Sequence, residues 1–328
     1  MFDYRREEEF KRIDLLVNVA RLYYEHGYNQ QMISQKLGLS RPYISKLLTQ
    51  ARAEGIVTIQ INDRTQTETA LERELRQRFS LRRVIVLPRS LDQTPLSKVG
   101  VACGRYINSI ISNGDVVGVS WGHTMFACAQ NAIKRDDITD ISVVQVCGGI
   151  SCIERNIYAS EIPRLWATAL SGTPYIMPLP AILDSIAIKD AVINDHSIKG
   201  VLDVAQRANI ILFTLGSGFG ANNALVQAGY LEETELEQLN KAGAVGDICS
   251  HIIDEDGKLL SPELDARTIS LPLDVLKQKD YRIAVAIGES KVRSICGALN
   301  GGYPNVLITD EDTAIAVLRR LDERGKQL

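Results

Sequence analysis

Neither sign of charge dominates this chain: 37 Lys and Arg stand against 40 Asp and Glu in 328 residues, a net charge of −3. That balance excludes a protein that grips a polyanion over its whole surface, so any nucleic-acid contact must come from a local patch. Long apolar runs are missing too. The longest, in "IVLP" and "NIILFTLG", fall far short of the roughly 20 residues that cross a bilayer. The opening "MFDYRREEEFKR" lacks the apolar core of a secretion signal. A cytoplasmic protein with no membrane partner is expected. Cysteines 103, 128, 147, 152, 249 and 296 contain no CxxC pair and no histidine at zinc spacing, which argues for reduced, buried thiols and against a metal. No internal repeat or low-complexity tract occurs. No GxGxxG follows the first strand and no GxxxxGK[ST] occurs, so neither a dinucleotide nor a nucleoside triphosphate is expected, and no cofactor.

What is present is an ordinary globular composition, 45% hydrophobic and 23% charged, on a chain long enough for two domains. Three helices read off the first sixty or so residues. Phe10, Ile13, Leu16, Val17, Ala20 and Tyr24 recur at helical spacing and predict an amphipathic first helix that stops at Gly27. Asn29 caps a short second helix that turns Met32, Ile33 and Leu37 inward, and Gly38 supplies the positive φ of a tight corner. Ser40 caps a third helix with Pro42 in its first turn, where a missing N–H costs nothing. Ile44, Leu47 and Leu48 form its buried face; Arg41, Tyr43, Ser45, Lys46, Thr49 and Arg52 form the other.

Ser34 in the middle of the second helix, Gly38 and Ile44 stand at the spacing at which two helices cross closely and pin their corner with a buried aliphatic. The third helix carries three cations and no acid before Glu54, which a plain helical hairpin does not need. "GIVTIQI" then alternates apolar and polar as a strand does, and completes a winged helix-turn-helix over residues 1–62. Arg41, Tyr43, Ser45 and Lys46 are expected at base edges or phosphates of double-stranded DNA, and Gln30, Gln31, Ser40, Thr49 and Arg52 towards its backbone.

The polar stretch "DRTQTET" marks a linker into a second domain, 63–328. A helix with Leu71, Leu75 and Phe79 on one face leads into strands "RVIVLP", "DVVGVS", "SVVQVCGG", "TPYIMPLP", "NIILFTLG", "RIAVAIG" and "NVLITD". Continuous Val/Ile runs alternating with helices indicate an α/β domain with a mostly parallel sheet covered on both faces. Glycine- and serine-containing turns, "GVSWGHT", "CGGIS", "PLPA", "LGSGFG", "GAVGD" and "IGESK", fall mainly where strands end. In open α/β sheets that edge forms the ligand crevice, and such turns let backbone N–H groups approach an anion. Repetition of the device, once with a lysine, points to a phosphorylated ligand.

In order and number, "QQxISQKLGLSRPxISKLLxxAxxEGIV", "DxVGVSWGxT", "VVQxxGGIS", "PLPA", "GAVGDICxxxxDxxG" and "NVLITDEDTA" resemble the SorC family of bacterial transcriptional regulators, which includes DeoR-type members. The resemblance implies a sugar-phosphate-sensing domain similar in fold to ribose-phosphate isomerases and glucosamine-phosphate deaminases. It further implies a tetramer, a dimer of dimers, whose hold on operator DNA changes when effector binds, and whose role is repression. Carried over by residue, it implies that Ser120, Gly122, His123 and Thr124 form a phosphate or hydroxyl cradle and that Gly148, Gly149 and Ile150 form a double-glycine turn. Leu179 and Pro180 match an apolar lip and Gly216 and Ser217 a further loop. Asp247 matches a sugar-hydroxyl acceptor and Lys291 a phosphate-pairing cation. Two positions depart from the family pattern: Gly288-Glu289-Ser290-Lys291 adds a carboxylate to its turn, and Cys147 offers no amine, so an imine at that strand end is excluded and non-covalent binding is expected.

Trp121 reads as a hydrophobic platform or as core, and His123 as a ligand contact or a surface residue at a helix start. A Cys147–Cys152 disulfide is strained at that spacing. Asp247 is also the carboxylate that an isomerase or deaminase-like enzyme with an appended DNA module would use as a base. In a chain that carries a DNA reader, a regulator without catalysis is the expected function. One helix-turn-helix reads too few base pairs for an address, so at least a dimer is expected, with the first helix and the Leu71–Phe79 helix as contact surfaces.

Overall fold

Among the described residues, three helices make up the first of two units in the computed structural model, Met1–Thr67: α1 (Tyr4–Tyr24), α2 (Gln30–Leu37) and α3 (Arg41–Ala53). The structure describes residues 4–57, 68–89, 94–149, 158–218 and 223–325, so most of the expected strand "GIVTIQI" and of the linker lies outside the described residues. Leu16, Val19, Ala20 and Leu22 of α1 share one core with Ile33 of α2 and with Ile44, Leu47, Leu48 and Ala51 of α3. The corner between α2 and α3 is closed locally. Asn29 accepts the Met32 N–H at 2.9 Å, Gly38 sits at φ +66°, and the Ser34 hydroxyl donates to the Leu39 carbonyl. Ser40 occupies the cap of α3 in extended conformation, but its hydroxyl makes no capping bond. Periodicity placed Leu16, Ala20 and Ile33 in the core correctly, but it also took in Phe10 and Met32, which are 78% and 46% exposed, and missed Val19 and Leu22 on the face that meets the other helices.

The second unit is Glu68–Leu328. Among its described residues one sheet of seven strands has the order β1-β9-β8-β5-β2-β3-β4, with every neighbouring pair parallel. The strands are β1 (Arg83–Leu87), β2 (Val116–Val119), β3 (Ser142–Gln145), β4 (Thr173–Tyr175), β5 (Ile210–Phe213), β8 (Tyr281–Val285) and β9 (Val306–Asp310). β5 is buried along its whole length and β9 over four of its five residues, as expected for strands covered by helices on both faces. Before the sheet, α4 (Ala70–Arg78) starts with a capping box between Thr69 and Glu72, and Glu72 also accepts the Val86 N–H at 2.9 Å, tying the helix to β1. Helix α5 (Pro95–Ile110) precedes β2, and α6 (His123–Gln130) follows it.

From β2 the chain moves through β3 to β4 in one direction; from β5 it moves through β8 and β9 in the other. The order therefore reverses between β2 and β5, the position at which open α/β sheets bind ligands beyond their carboxyl ends. An antiparallel pair, β6 (Gly246–Ile248) and β7 (His251–Ile253), lies outside the main sheet. "GAVGD" thus runs into the first strand of a hairpin rather than ending a sheet strand. An isolated bridge from Leu215 to Ile248 fastens this hairpin beside the end of β5. Among the described residues no helix is long and apolar enough to cross a membrane.

Ile44, with no exposed surface, sits in the core that the three helices of the first unit share. Ile44→Ala is expected to destabilise that unit by about 2–4 kcal/mol. Helical circular dichroism should reveal an earlier loss, while fluorescence of Trp121 and Trp166, both in the second unit, keeps its unfolding midpoint.

Candidate functional site

Five stretches far apart in sequence enclose a cavity of about 240 Å³ at the carboxyl ends of β2, β3, β5 and β8. After β2 come Ser120, Trp121, Gly122, His123 and Thr124; after β3, Cys147; after β5, Thr214, Leu215, Gly216, Ser217 and Ala224. The hairpin supplies Asp247, Cys249 and Ser250, and the turn after β8 supplies Lys291. Eight of the residues expected at an effector site therefore share one cavity: Ser120, Gly122, His123, Thr124, Gly216, Ser217, Asp247 and Lys291.

One end of the cavity is built for negative charge. Gly122 caps α6 at φ +115° with no side chain occupying the cap, so the helix presents first-turn N–H groups and the positive end of its dipole. Ser120 and Thr124 are buried, and the Ser120 hydroxyl accepts the Thr214 N–H at 3.3 Å. From the other side the Lys291 ammonium donates to the Thr214 hydroxyl at 2.9 Å. Burial pulls the Lys291 pKa down to about 8 against the opposing pull of Asp247. Burial likewise raises the Asp247 carboxyl, although the Ser250 N–H and Lys291 both favour its charged form. Desolvation thus outweighs attraction on both partners, and an arriving anion would push the lysine's pKa back up.

Close backbone approach holds Asp247 in place. A Cβ on Gly216 would stand 1.8 Å from Asp247 Oδ1, and the Gly216 N–H donates to the Asp247 carbonyl at 2.9 Å. The remaining wall is softer. Trp121 both lines the cavity and is 8% exposed, its Nε1–H donating to the Gly148 carbonyl at 2.7 Å. His123 is exposed and meets Tyr158 edge to face with ring centroids 5.8 Å apart. Contact with Cys147 and burial hold the Cys249 thiol well above its usual pKa, which leaves a poor nucleophile.

Gly148, Gly149, Leu179 and Pro180 are absent from the lining. The Gly148 N–H donates to Ile269 and the Gly149 N–H to Leu179, at 2.8 and 2.9 Å, so neither is free for an anion. A Cβ on Gly148 would stand 2.1 Å from the Pro180 carbonyl oxygen: the double glycine serves a close chain crossing behind the cavity. Ile150 and Cys152 lie outside the described residues. Thr214, Ala224, Cys249 and Ser250 were not anticipated. The "LGSGFG" turn pointed near the first two and the "GAVGDIC" motif contains Cys249, but nothing in the sequence pointed to Ser250.

The first unit carries a second surface. Arg41, Tyr43, Ser45, Lys46, Thr49 and Arg52 are all exposed on α3, as are Gln31 and Ser40; Gln30 is half-buried. Arg12 and Gln50 take up the one acid at the end of α3, Glu54. The Thr49 hydroxyl donates to the Ser45 carbonyl at 3.0 Å. Arg41, Lys46 and Arg52 have no ion-pair partner among the described residues. The result is a positive, polar helix face on a small helical unit, joined in sequence to an α/β unit with an anion-favouring cavity.

Known proteins resemble this chain over almost its whole length. Residues 63–319 match the family model described as "Putative sugar-binding domain". The deoxyribonucleoside regulator of Bacillus subtilis is 38% identical over 315 residues, spanning 94% of this chain and 98% of its own. The sorbitol operon regulator of Klebsiella pneumoniae is 31% identical over 310 residues, with 94% and 98% covered. The crystal structure of that full-length regulator, SorC, superposes with a TM-score of 0.78 over 93% of this chain and 98% of its own. The chain belongs to the sugar-binding-domain family of SorC and DeoR-type transcriptional regulators. These relatives are named regulators, not enzymes.

Because the atom facing Gly148 is backbone and cannot swing aside, Gly148→Ala is expected to cost about 1–3 kcal/mol. The Trp121 indole bonded to Gly148 makes urea unfolding by tryptophan fluorescence the direct measurement; an unchanged midpoint would refute the crossing as a constraint.

Proposed function

We propose that the protein is a DNA-binding repressor of carbohydrate-metabolism genes, acting in the cytoplasm, whose operator affinity is set by a phosphorylated sugar in the cavity. The observation that carries this reading is Lys291, a partly buried ammonium joined through Thr214 to the Ser120 loop at the open N-terminus of α6. A phosphate monoester brings about two negative charges and three acceptor oxygens, which the α6 N–H groups, the Ser120 and Thr124 hydroxyls and Lys291 can meet together. Asp247 then accepts from a sugar hydroxyl. A parallel sheet with its cavity at the switch point is also what a likeness to sugar-phosphate isomerases and deaminases requires.

Helices α2 and α3 act as a helix-turn-helix, with α3 in the major groove of operator DNA. Arg41, Tyr43, Ser45 and Lys46 lie nearest the bases, and Gln30, Gln31, Ser40, Thr49 and Arg52 face the backbone. Two-fold operators ask for at least a dimer, and the resemblance for a tetramer. Phe10, Ile13 and Tyr24 leave α1 with exposed apolar side chains that a second copy can cover.

The reading head is tested on operator duplexes recovered by selection from random sequence. Arg41→Ala and Lys46→Ala should each weaken binding, by about 1–3 kcal/mol for a bidentate base contact, or lower the salt slope by about one for a phosphate contact. Affinity and slope unchanged in both would remove α3 from the interface.

For the effector, Lys291→Ala should cut affinity for the best-binding pentose or hexose phosphate at least tenfold, on the order of 1.4 kcal/mol, and leave operator binding without effector intact. The pH dependence has a defined sign. The free lysine loses its proton above about pH 8, and a phosphate favours the charged form, so binding takes up a proton there. Affinity should fall from pH 8 upward, by at most about tenfold per unit, with proton uptake seen by calorimetry in two buffers. A flat profile to pH 9.5 in wild type would contradict the assignment.

A further inference from the structure

Two consecutive residues at the tip of the β6–β7 hairpin, Cys249 and Ser250, have φ of +50° and +73°. A two-residue hairpin turn with both residues in this region is the one that Asn-Gly fills with least strain, since a Cβ crowds the left-handed backbone. Neither asparagine nor glycine is present. The next residue fixes the turn from below. His251 is 5% exposed, its Nδ1 lies against the Asp265 carboxylate, and its Nε2–H faces the Leu271 carbonyl at 3.0 Å. Strained backbone persists where its surroundings over-determine it, and it gathers at binding sites.

A second observation gives the strain a purpose. Ser250 lines the cavity and is 2% exposed, yet its hydroxyl has no hydrogen-bond partner. A buried polar atom without a partner is an exception in a folded protein and needs an explanation; of four such side-chain atoms among the described residues, Ser250 Oγ is the one on a residue that lines the cavity. Cys249 packs its thiol against Cys147, so of the two turn side chains only that of Ser250 has a polar group without a partner. Its own N–H donates to Asp247 at 3.0 Å, which sets hydroxyl and carboxylate side by side on the wall.

Building on the sugar-phosphate reading of the cavity, we propose that the Cys249–Ser250 turn is held in its left-handed form so that Ser250 Oγ bonds a hydroxyl or carbonyl oxygen of the effector's carbon chain. Asp247 supplies an acceptor and Ser250 a group that both donates and accepts. Together they select for an oxygenated carbon at that end, while α6 and Lys291 hold the phosphate. Glycine at 250 would relax the backbone and lose the reading group.

The test uses the full-length protein, with ribose 5-phosphate, 2-deoxyribose 5-phosphate, glucose 6-phosphate and fructose 6-phosphate titrated directly and inorganic phosphate as competitor. Ser250→Ala and Ser250→Gly should each weaken the tightest of the four by about tenfold, the usual scale of one hydrogen bond. The competition constant of inorganic phosphate should stay within about twofold of wild type, and neither variant should melt at a lower temperature. Sugar-phosphate affinity unchanged in both variants, an equal loss for inorganic phosphate, or a lower melting temperature for Ser250→Ala would overturn the proposal by making the hydroxyl idle or structural. If wild type binds none of the four sugars, the reading of the cavity itself fails, a result distinct from these.

Discussion

An ammonium group drawn into the carboxyl edge of a parallel sheet must be compensated, and the geometry around Lys291 follows from how that is done. Burial alone lowers the lysine's pKa to about 8; Thr214 offers it an oxygen and Asp247 a charge. Asp247 reaches the cavity only because Gly216 lacks a Cβ, and Gly246 lacks one as well, since a Cβ there would stand 2.2 Å from the Gly216 carbonyl oxygen. The bridge between Leu215 and Ile248 then locks hairpin to sheet. Even so, desolvation dominates both charged partners, raising the carboxyl and lowering the ammonium. Such a pair is incompletely satisfied, and a second negative charge beside the α6 terminus improves it.

Much of this was legible in the sequence, for a physical reason. Six of the seven strands of the main sheet are rich in Val and Ile and so stand out in the sequence, and their carboxyl ends follow from chain direction; the exposed edge strand β4, Thr173–Tyr175, carries no such run. The turns that hold Ser120, Gly122, His123, Thr124, Gly216, Ser217 and Lys291 therefore fall at one edge on the sequence pattern alone. Less was legible where a residue's role depends on a long-range crossing. Gly148 and Gly149 have the composition of an anion-binding turn, but their N–H groups already serve Ile269 and Leu179. Ser250 escaped notice because Cys-Ser carries no turn signature; only the fold reveals the positive φ of both residues. On α1, periodicity marks an apolar stripe without saying which neighbour covers it, hence the exposed Phe10 and Ile13.

The two units divide the electrostatics between them. A net charge of −3 over the chain coexists with an α3 face whose three cations are unpaired among the described residues, because Arg12 and Gln50 engage Glu54 from outside that face. On the proposed reading, attraction of α3 to DNA is local and falls with salt, while the cavity holds its anion through desolvated groups that salt screens less. The two functions can therefore be separated by ionic strength as well as by mutation.

Coupling between them is the central claim, and reciprocity tests it most directly. Operator affinity is measured with and without a saturating amount of the best-binding sugar phosphate, and the affinity for that sugar phosphate with and without saturating operator. The same factor is expected in both directions, roughly 5- to 150-fold. Operator affinity that ignores every sugar phosphate the protein binds would contradict it.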